Sequence, residues 1–450
     1  LPGLYAAFQM EQSVSTRWFT DAYLRMLENA FAILDYSLAN VEALVDKGLQ
    51  RKQFFYLPLG YLPDYGTASA GGDQAYDVVF YGDINNDRRR RFVAALEKVC
   101  RVKVINDLFG EPLHAELAKA KLVVNIHYYE GALLETTRLW ECVSLGKLVV
   151  SERAVNMGEN RDLEPLVDFV DLNDVDGMVE RVRYWLANEP ARQAQLKANR
   201  TLAARQANRF EYFFYRFLLA WDIISFHRFW ELAGSKLTLS GDKLCLNLPE
   251  WFGRRRSFDQ DNQYGFQVFP GLRHREGWIG CGFSYKLMIM LARQQRFPQI
   301  AICEDDVEFH PGFAEDFAEI QTELAAGHER WDVFSGLLGD LHADAEILKI
   351  RKLRSRKLVL TNRLISTVFN VYHRSVFDRV SLWDDRDRDV VKNTIDRYLE
   401  HTHLSVLACY PFLVGHKEEL HSTLWGIQNG AMADMIQRSQ RLLGSKIEAF

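Results

Sequence analysis

"YDVVFYGDINNDRRRRFVAALEKVC", Tyr76–Cys100, decides the fold. An apolar run ends at Gly82, a polar turn follows, and Phe92, Val93 and Leu96 then recur at helical spacing. A short apolar run, a turn and an amphipathic stretch read as strand, loop and helix. The pattern repeats on both sides, with candidate strands at "YAAFQM", "AFAILDY", "QFFYLPL", "VKVIN", "KLVVNI" and "KLVVS" and helical stretches such as "PLHAELAKA" between them. Strands alternating with helices imply βαβ units around a parallel sheet. Residues 1–205 are therefore expected to be α/β and doubly wound.

Composition narrows the function classes. A chain of 450 residues exceeds one ordinary domain, and 48% hydrophobic residues with 13% aromatics suffice for two or three cores. A formal net charge of −5 argues against nucleic acid as the main partner. Six cysteines lie far apart with no CxxC pair, the usage of a reduced, cytosolic protein. No apolar run approaches the roughly 20 residues of a membrane span, and no signal peptide is visible. The first residue is not Met, which points to a trimmed chain with a segment missing upstream. The expected location is the cytoplasm, with peripheral association at the inner face of a membrane left open. No Walker A loop, HExxH or GxSxG occurs, so ATP-driven, zinc-protease and esterase chemistry have nothing to rest on.

"RFEYFFYRFLLAWDIISFHRFWEL", residues 209–232, carries ten aromatics interrupted by Arg209, Glu211, Arg216, Asp222 and Arg228. The charges exclude a span. Either an interfacial helix or a helix buried between two domains fits, and the second is the expectation, with a connector over 206–238 and a further domain over 239–450.

That domain holds "AICEDDVEF", Ala301–Phe309, where three acids end an apolar strand. Along an extended strand Glu304 and Asp306 would face one way and Asp305 the other. Hard carboxylate oxygens suit Mg²⁺ or Mn²⁺, which one or two carboxylates hold together with phosphate oxygens. Acids that merely solvate the strand end or cap the next helix are the other reading.

Four blocks in order resemble glycosyltransferase family 25, the lipopolysaccharide and collagen galactosyltransferase group. Asn247 and Leu248 are followed by Arg255, Arg256 and Phe258; "GWIGCGFSY" spans Gly277–Tyr285; the acid block ends a strand; and "YPFLVGHKEELHSTLWG" closes the series. Tyr285, Trp278 and His416 stand where the family has His, Glu and Gln. The resemblance implies a GT-A fold, transfer of a hexose, galactose favoured, from a UDP-sugar to a glycan or glycolipid acceptor such as lipopolysaccharide, and a metal at Asp306 with Glu304 and His416. It also implies donor contacts from Asn247, Arg255, Arg256, Glu304 and Asp305. An inverting reaction needs a base for the acceptor hydroxyl. Asp396 and Asp340 are the candidates, Asp396 being equally readable as a helix first-turn acid. His421 is a further metal candidate. The basic stretch "KIRKLRSRKLVLTNR", Lys349–Arg363, is either a solvated strand face or a grip on an anionic acceptor.

In the front half, "LETTRLWECVSLGKLVVSE", Leu134–Glu152, reads as a helix with Arg138 and Glu141 on one face, a turn at Gly146 and a buried strand. With "YLPLGYLPDY" and "FYGDINNDRRRRF" it resembles the nucleotide-sugar half of GT-B glycosyltransferases of the spore-coat type. That resemblance implies a donor-ribose contact from Glu141 and donor contacts from Gly82, Arg88 and Arg138. Arg88–Arg91 oppose a helix dipole, and are either solvated or waiting for a diphosphate. The expected organisation is tandem and Rossmann-like: a remnant or hinge of a GT-B acceptor-side domain over 1–65, a nucleotide-sugar domain over 66–205, the connector, and the GT-A domain. A catalytically silent carbohydrate-binding or scaffold protein, and activity confined to the front half, are the alternatives.

Overall fold

The computed structural model describes residues 3–15, 17–65 and 74–450. The chain divides into two compact units, Leu1–Phe214 and Tyr215–Phe450. The expected boundary at 65/66 adjoins residues outside the described ones.

The front unit begins with three parallel strands, β1 (Ala6–Gln9), β2 (Ala32–Asp35) and β3 (Phe54–Tyr56), with α1 (Asp21–Glu28) and α2 (Leu38–Asp46) between them. A second sheet follows: β4 (Tyr76–Tyr81), β5 (Val102–Ile105), β6 (Ala120–Asn125), β7 (Leu148–Glu152) and β8 (Asp168–Val170). All five are parallel, in the order β5-β4-β6-β7-β8. Its helices are α3 (Asp87–Glu97), α4 (Gly110–Ala118), α5 (Thr136–Ser144), α6 (Val175–Ala187) and α7 (Glu189–Ala204).

Alternate residues of β4 serve opposite faces. Val79 and Tyr81 join Leu113, Leu117, Leu139 and Trp140 of α4 and α5, whereas Val78 and Phe80 join Phe92, Leu96, Met178 and Val182 of α3 and α6. The sheet is thus covered on both sides, as parallel sheets require. The strand order reverses between β4 and β6, and in open α/β sheets ligands bind outside the carboxyl ends of the strands at such a switch point.

The aromatic segment forms two helices rather than one, α8 (Arg209–Ala220) and α9 (Phe226–Leu232), because Asp222 takes a left-handed φ of 55° between them. None of its ten aromatics is exposed.

The back unit is built on a mixed eight-stranded sheet. Its strands are β9 (Lys243–Asn247), β10 (Gln267–Pro270), β11 (Gln299–Glu304), β13 (Val333–Ser335), β14 (Ile347–Lys352), β15 (Lys357–Thr361), β16 (Phe369–His373) and β17 (Val406–Tyr410). The order is β10-β9-β11-β16-β13-β17-β15-β14. A separate antiparallel pair, β12 (Val307–Phe309) and β18 (Val414–His416), extends beyond β11. Two helices matter for the site: α10 (Phe252–Asp261) follows β9, and α11 (Gly277–Gln294) precedes β11.

Antiparallel strands interrupt the parallel run, so the back sheet departs from the uniform alternation of the front half. Among the described residues no helix is long and apolar enough to cross a membrane.

Candidate functional site

Two constellations emerge, one in each unit. In the front unit the site lies at the carboxyl ends of β4 and β6. Gly82 follows β4 with φ of 134°, and a Cβ there would come within 3.1 Å of Arg138 Nη2 and 3.3 Å of Arg89 Nη1. Both the backbone conformation and the guanidinium approach require glycine.

Arg138 donates to Asn125 Oδ1 at 2.6 Å, pairs with Glu135, and stacks 4.8 Å from the Tyr81 ring. Arg89 donates from Nε to Ile126 O and from Nη1 to Asp83 O, both at 2.9 Å, and from Nη2 to Glu135 Oε1 at 3.3 Å. Glu135 is the hub. Burial works against its charge, yet Arg138, the His127 ring and Arg89 hold its carboxyl down at about 2. His127 is fully buried, and neither of its ring nitrogens has a hydrogen-bond partner; Thr136 Oγ1 and Arg138 Nε are also unpartnered.

One turn along α5 from Arg138, Glu141 accepts from Tyr81 OH at 2.9 Å through Oε2, while Oε1 meets His114 Nε2 at 3.1 Å and Tyr65 OH at 3.5 Å. Arg138 and Glu141 line one cavity of about 360 Å³ together with Leu59, Tyr65, Tyr81 and Trp140.

Arg88 belongs elsewhere. It pairs with the fully buried Glu152 and donates to His127 O at 2.6 Å and Asn173 Oδ1 at 2.9 Å. The basic run at the start of α3 is thus neither solvated throughout nor free for a diphosphate. Arg88 and Arg89 are committed to inward ion pairs, and Arg90 pairs with Asp87 at the surface. Helical phase carries the missed signal: Arg89 lies three and four residues before Phe92 and Val93, on the buried face. Tyr65, Tyr81, His114, His127 and Glu135 were also not singled out, since nothing local in the chain marks them.

In the back unit the acids do not alternate along a strand. Strand β11 ends at Glu304, and Asp305 and Asp306 form a turn, so a single side chain reaches both. That side chain is Arg254, which donates from Nε to Asp305 Oδ1 at 2.8 Å and places Nη2 2.9 Å from Asp306 Oδ2. Asn247 donates to Asp305 Oδ2 at 2.6 Å. Asn247 and Asp305, expected to touch a donor, are thereby spent on each other and on Arg254. The expected arginines point away: Arg255 pairs with Asp259, and Arg256 stacks over Phe252 at 5.1 Å. Arg254 shares the buried face of α10 with Phe258, four residues on.

Asp306 Oδ2 also meets His416 Nε2 at 3.1 Å and Asn429 Nδ2 at 3.0 Å. Burial opposes the Asp306 charge, but Arg254, His416 and Asn429 hold its carboxyl well below the usual carboxylate range. Burial opposes a charged His416 as well, and the Asp306 carboxylate outweighs it, so the imidazole titrates above its ordinary value. Glu304 moves the other way, pushed up by burial and then by the charge of Asp306.

For a divalent cation, the fit is poor. Among the described residues no group of three or more His, Cys, Asp or Glu side chains could hold a metal ion. The guanidinium of Arg254 already supplies the positive charge that Asp306 needs, and His416 Nε2 occupies the same carboxylate oxygen. His421 contributes only its carbonyl, to Arg254 Nη1 at 2.6 Å.

The expected bases lie near one another. Arg397 Nη2 stands 3.6 Å from Asp340 Oδ2, and its neighbour Asp396 accepts from Thr394 Oγ1 at 2.8 Å and from the Arg397 amide at 2.9 Å in the first turn of a short helix, Ile395–Glu400. The basic stretch is an edge hairpin, β14 and β15, in which four of the cations are paired: Lys349 with Glu329, Arg351 with Glu323, Arg356 with Asp316 and Arg363 with Asp344.

Residues 68–212 match the model of a family described as glycosyl transferase-like. An uncharacterized protein of Acanthamoeba polyphaga mimivirus is 26% identical over 147 residues, 31% of this chain, and the chain spans 19% of that relative's length. Among solved structures, Anabaena HepE in complex with UDP and glucose aligns with 45% of this chain and 67% of its own, at 13% identity and a TM-score of 0.34. WaaG, a glycosyltransferase involved in lipopolysaccharide biosynthesis, aligns with 45% of this chain and 71% of its own, at 13% identity and a TM-score of 0.35. Sucrose-phosphate synthase from Thermosynechococcus elongatus aligns with 43% and 59%, at 17% identity and a TM-score of 0.30. Gly82, Arg89, Glu135, Arg138 and Glu141 all lie within the residues that match the glycosyl transferase-like family model.

Proposed function

We propose that this protein is a glycosyltransferase of the GT-B type whose front unit binds a UDP-sugar at the cavity beside Tyr81, Arg138 and Glu141. The observation that carries the reading is the carboxylate of Glu141, held by Tyr81, His114 and Tyr65 on the wall of a 360 Å³ cavity, inside the segment that matches the glycosyl transferase-like family. A fixed carboxylate accepts the two hydroxyls of a ribose. Arg138, crowded against Gly82 at the switch point and lining the cavity, would face the diphosphate. As the glycosidic bond breaks, negative charge grows on the departing diphosphate, and preorganised guanidinium donors stabilise it. Glu135, itself anchored by the buried Arg89, keeps Arg138 aimed before the donor arrives.

The finer reading adds a second transferase in the back unit, of the GT-A type, that moves a hexose, galactose favoured, to a glycan such as lipopolysaccharide with inversion, Asp396 or Asp340 taking the proton. Its support is the four-block resemblance to glycosyltransferase family 25. No step of it is routed through Mn²⁺ or Mg²⁺, because Arg254 faces both Asp305 and Asp306.

The experiment is a calorimetric titration of the purified chain with a panel of nucleotide sugars, with and without Mn²⁺, repeated on Glu141→Gln and Asp306→Asn. UDP-sugar binding that Glu141→Gln weakens and Asp306→Asn spares is the expected result. Binding that Glu141→Gln leaves intact would move the donor site out of the front cavity.

A further inference from the structure

Around Asp306, three buried oxygens have no donor: Asp306 Oδ1, Glu304 Oε1 and Asn429 Oδ1. Asp306 is 3% exposed and Asn429 fully buried. The orientation of the Asn429 amide is set by its surroundings, since its Nδ2 serves two acceptors, Asp306 Oδ2 and Lys417 O, both at 3.0 Å. Its oxygen is therefore the atom left over. An unpaired buried acceptor is costly until something donates to it. With Arg254 and His416 already paired to the acids, the pocket asks for neutral donors rather than for a cation or a phosphate.

A hairpin rises from this pocket. His421 bridges Gln428, the Ser422 amide donates to Ile427 O at 2.8 Å, and Gly426 turns the tip with φ of 67°. The base of the hairpin is tied to the acids on both sides, through Arg254 Nη1 to His421 O at 2.6 Å and through Asn429 to Asp306. Leu424 packs on the start of α11, where a Cβ added to Gly277 would lie 3.0 Å from the Leu424 Cα. At the tip Trp425 and Ile427 are 50% and 44% exposed. A large exposed aromatic held on a turn, four residues from a pocket of unpaired acceptors, joins an apolar ring face to hydrogen-bond acceptors.

We infer that this hairpin and the acid block form a binding site for a neutral saccharide, whose hydroxyls donate to Asp306 Oδ1, Glu304 Oε1 and Asn429 Oδ1 while a ring packs on Trp425. A pyranose carries what both halves require. Its hydroxyls are donors, and its C–H face complements the negative face of an indole. A nucleotide diphosphate offers hydroxyls only on its ribose, and its phosphates would bring further negative charge to the acids. The inference rests on the reading that the chain handles sugars, and it makes the back unit the place where the acceptor glycan is held.

The test uses the full chain in excess EDTA, with methyl glycosides of glucose, galactose and mannose, followed by saturation-transfer NMR. At least one glycoside is expected to receive saturation, undisplaced by UDP. Trp425→Ala, a substitution at an exposed tip, is expected to weaken that binding roughly tenfold, and Asp306→Asn to weaken it independently. Binding that appears only with Mn²⁺, or that Trp425→Ala leaves unchanged, overturns the inference. UDP binding without any glycoside binding overturns it too while sparing the front-unit reading, whereas loss of UDP binding as well as glycoside binding sinks both.

Discussion

The hydroxyl of Tyr81 stands 2.9 Å from Glu141 Oε2, tying the end of β4 to α5 across the mouth of the front cavity. The other carboxylate oxygen is held by His114 at 3.1 Å, so the orientation of Glu141 is determined before any ligand arrives. Hydrogen bonds to a charged group contribute about 1.5–3 kcal/mol. Glu141→Gln is therefore expected to weaken UDP binding roughly 10- to 100-fold in calorimetry, with Tyr81→Phe losing less because His114 and Tyr65 remain. Wild-type affinity in Glu141→Gln would remove Glu141 from the donor site.

Gly82→Ala tests the same mouth from the backbone side. The new methyl would sit within 3.3 Å of two guanidinium groups on a residue at φ of 134°. A strained conformation of this kind costs about 1–3 kcal/mol. The variant is expected to unfold at lower denaturant concentration and to bind UDP more weakly, since Arg138 and Arg89 must move. An unchanged midpoint together with unchanged affinity would show that neither arginine depends on this glycine.

Arg216 and Glu250 form a fully buried pair, with Nη1 2.6 Å from Oε1 and Nη2 3.0 Å from Oε2. Removing one partner strands a charge in the core, at about 3–5 kcal/mol. Glu250→Gln and Arg216→Met should each lower the stability of the back unit by that order in urea unfolding. The double change to Met and Leu should recover only part of the loss, because buried Arg273, whose Nη1 stands 3.6 Å from Glu250 Oε1, loses its carboxylate as well. A double variant less stable than both singles would contradict this.

Asp35 gives the front unit a pH dependence. Burial pushes its carboxyl up to about 7, against hydrogen bonds from the Ser37 amide, Gln9 and Asn40. A raised pKa means that folding favours the protonated acid. The contribution is therefore fully present below the unfolded value of 3.8 and lost as pH rises toward about 7. Asp35→Asn keeps the shape and removes the charge. Its melting temperature should gain on the wild type between pH 4 and 7 and run parallel above. A difference that shrinks as pH rises would contradict the buried, protonated state.

Much of the front unit was legible in the chain. All seven expected strands lie where apolar runs were read, and Gly146 turns with φ of 68° between α5 and β7. Only β8 (Asp168–Val170) escaped, being three residues long and broken by its own acid. Arg138 and Glu141 could be paired by their three-residue spacing alone. The acids of Glu304–Asp306 were legible as a strand end, but their facing was not, because the strand stops at Glu304 and the turn abolishes alternation.

By itself the sequence determined periodicity, and with it the strands, the helices and the faces they bury, because these follow from the spacing of side chains along one chain. Which charges meet was decided only by the tertiary structure. Arg254 reaches Asp305 across 51 residues, and His416 finds Asp306 across 110. Such partners are brought together by sheet order and by the antiparallel pairing of Val307 with His416. A run of three arginines cannot reveal which member faces inward until the packing of α10 selects the one on the side of Phe258.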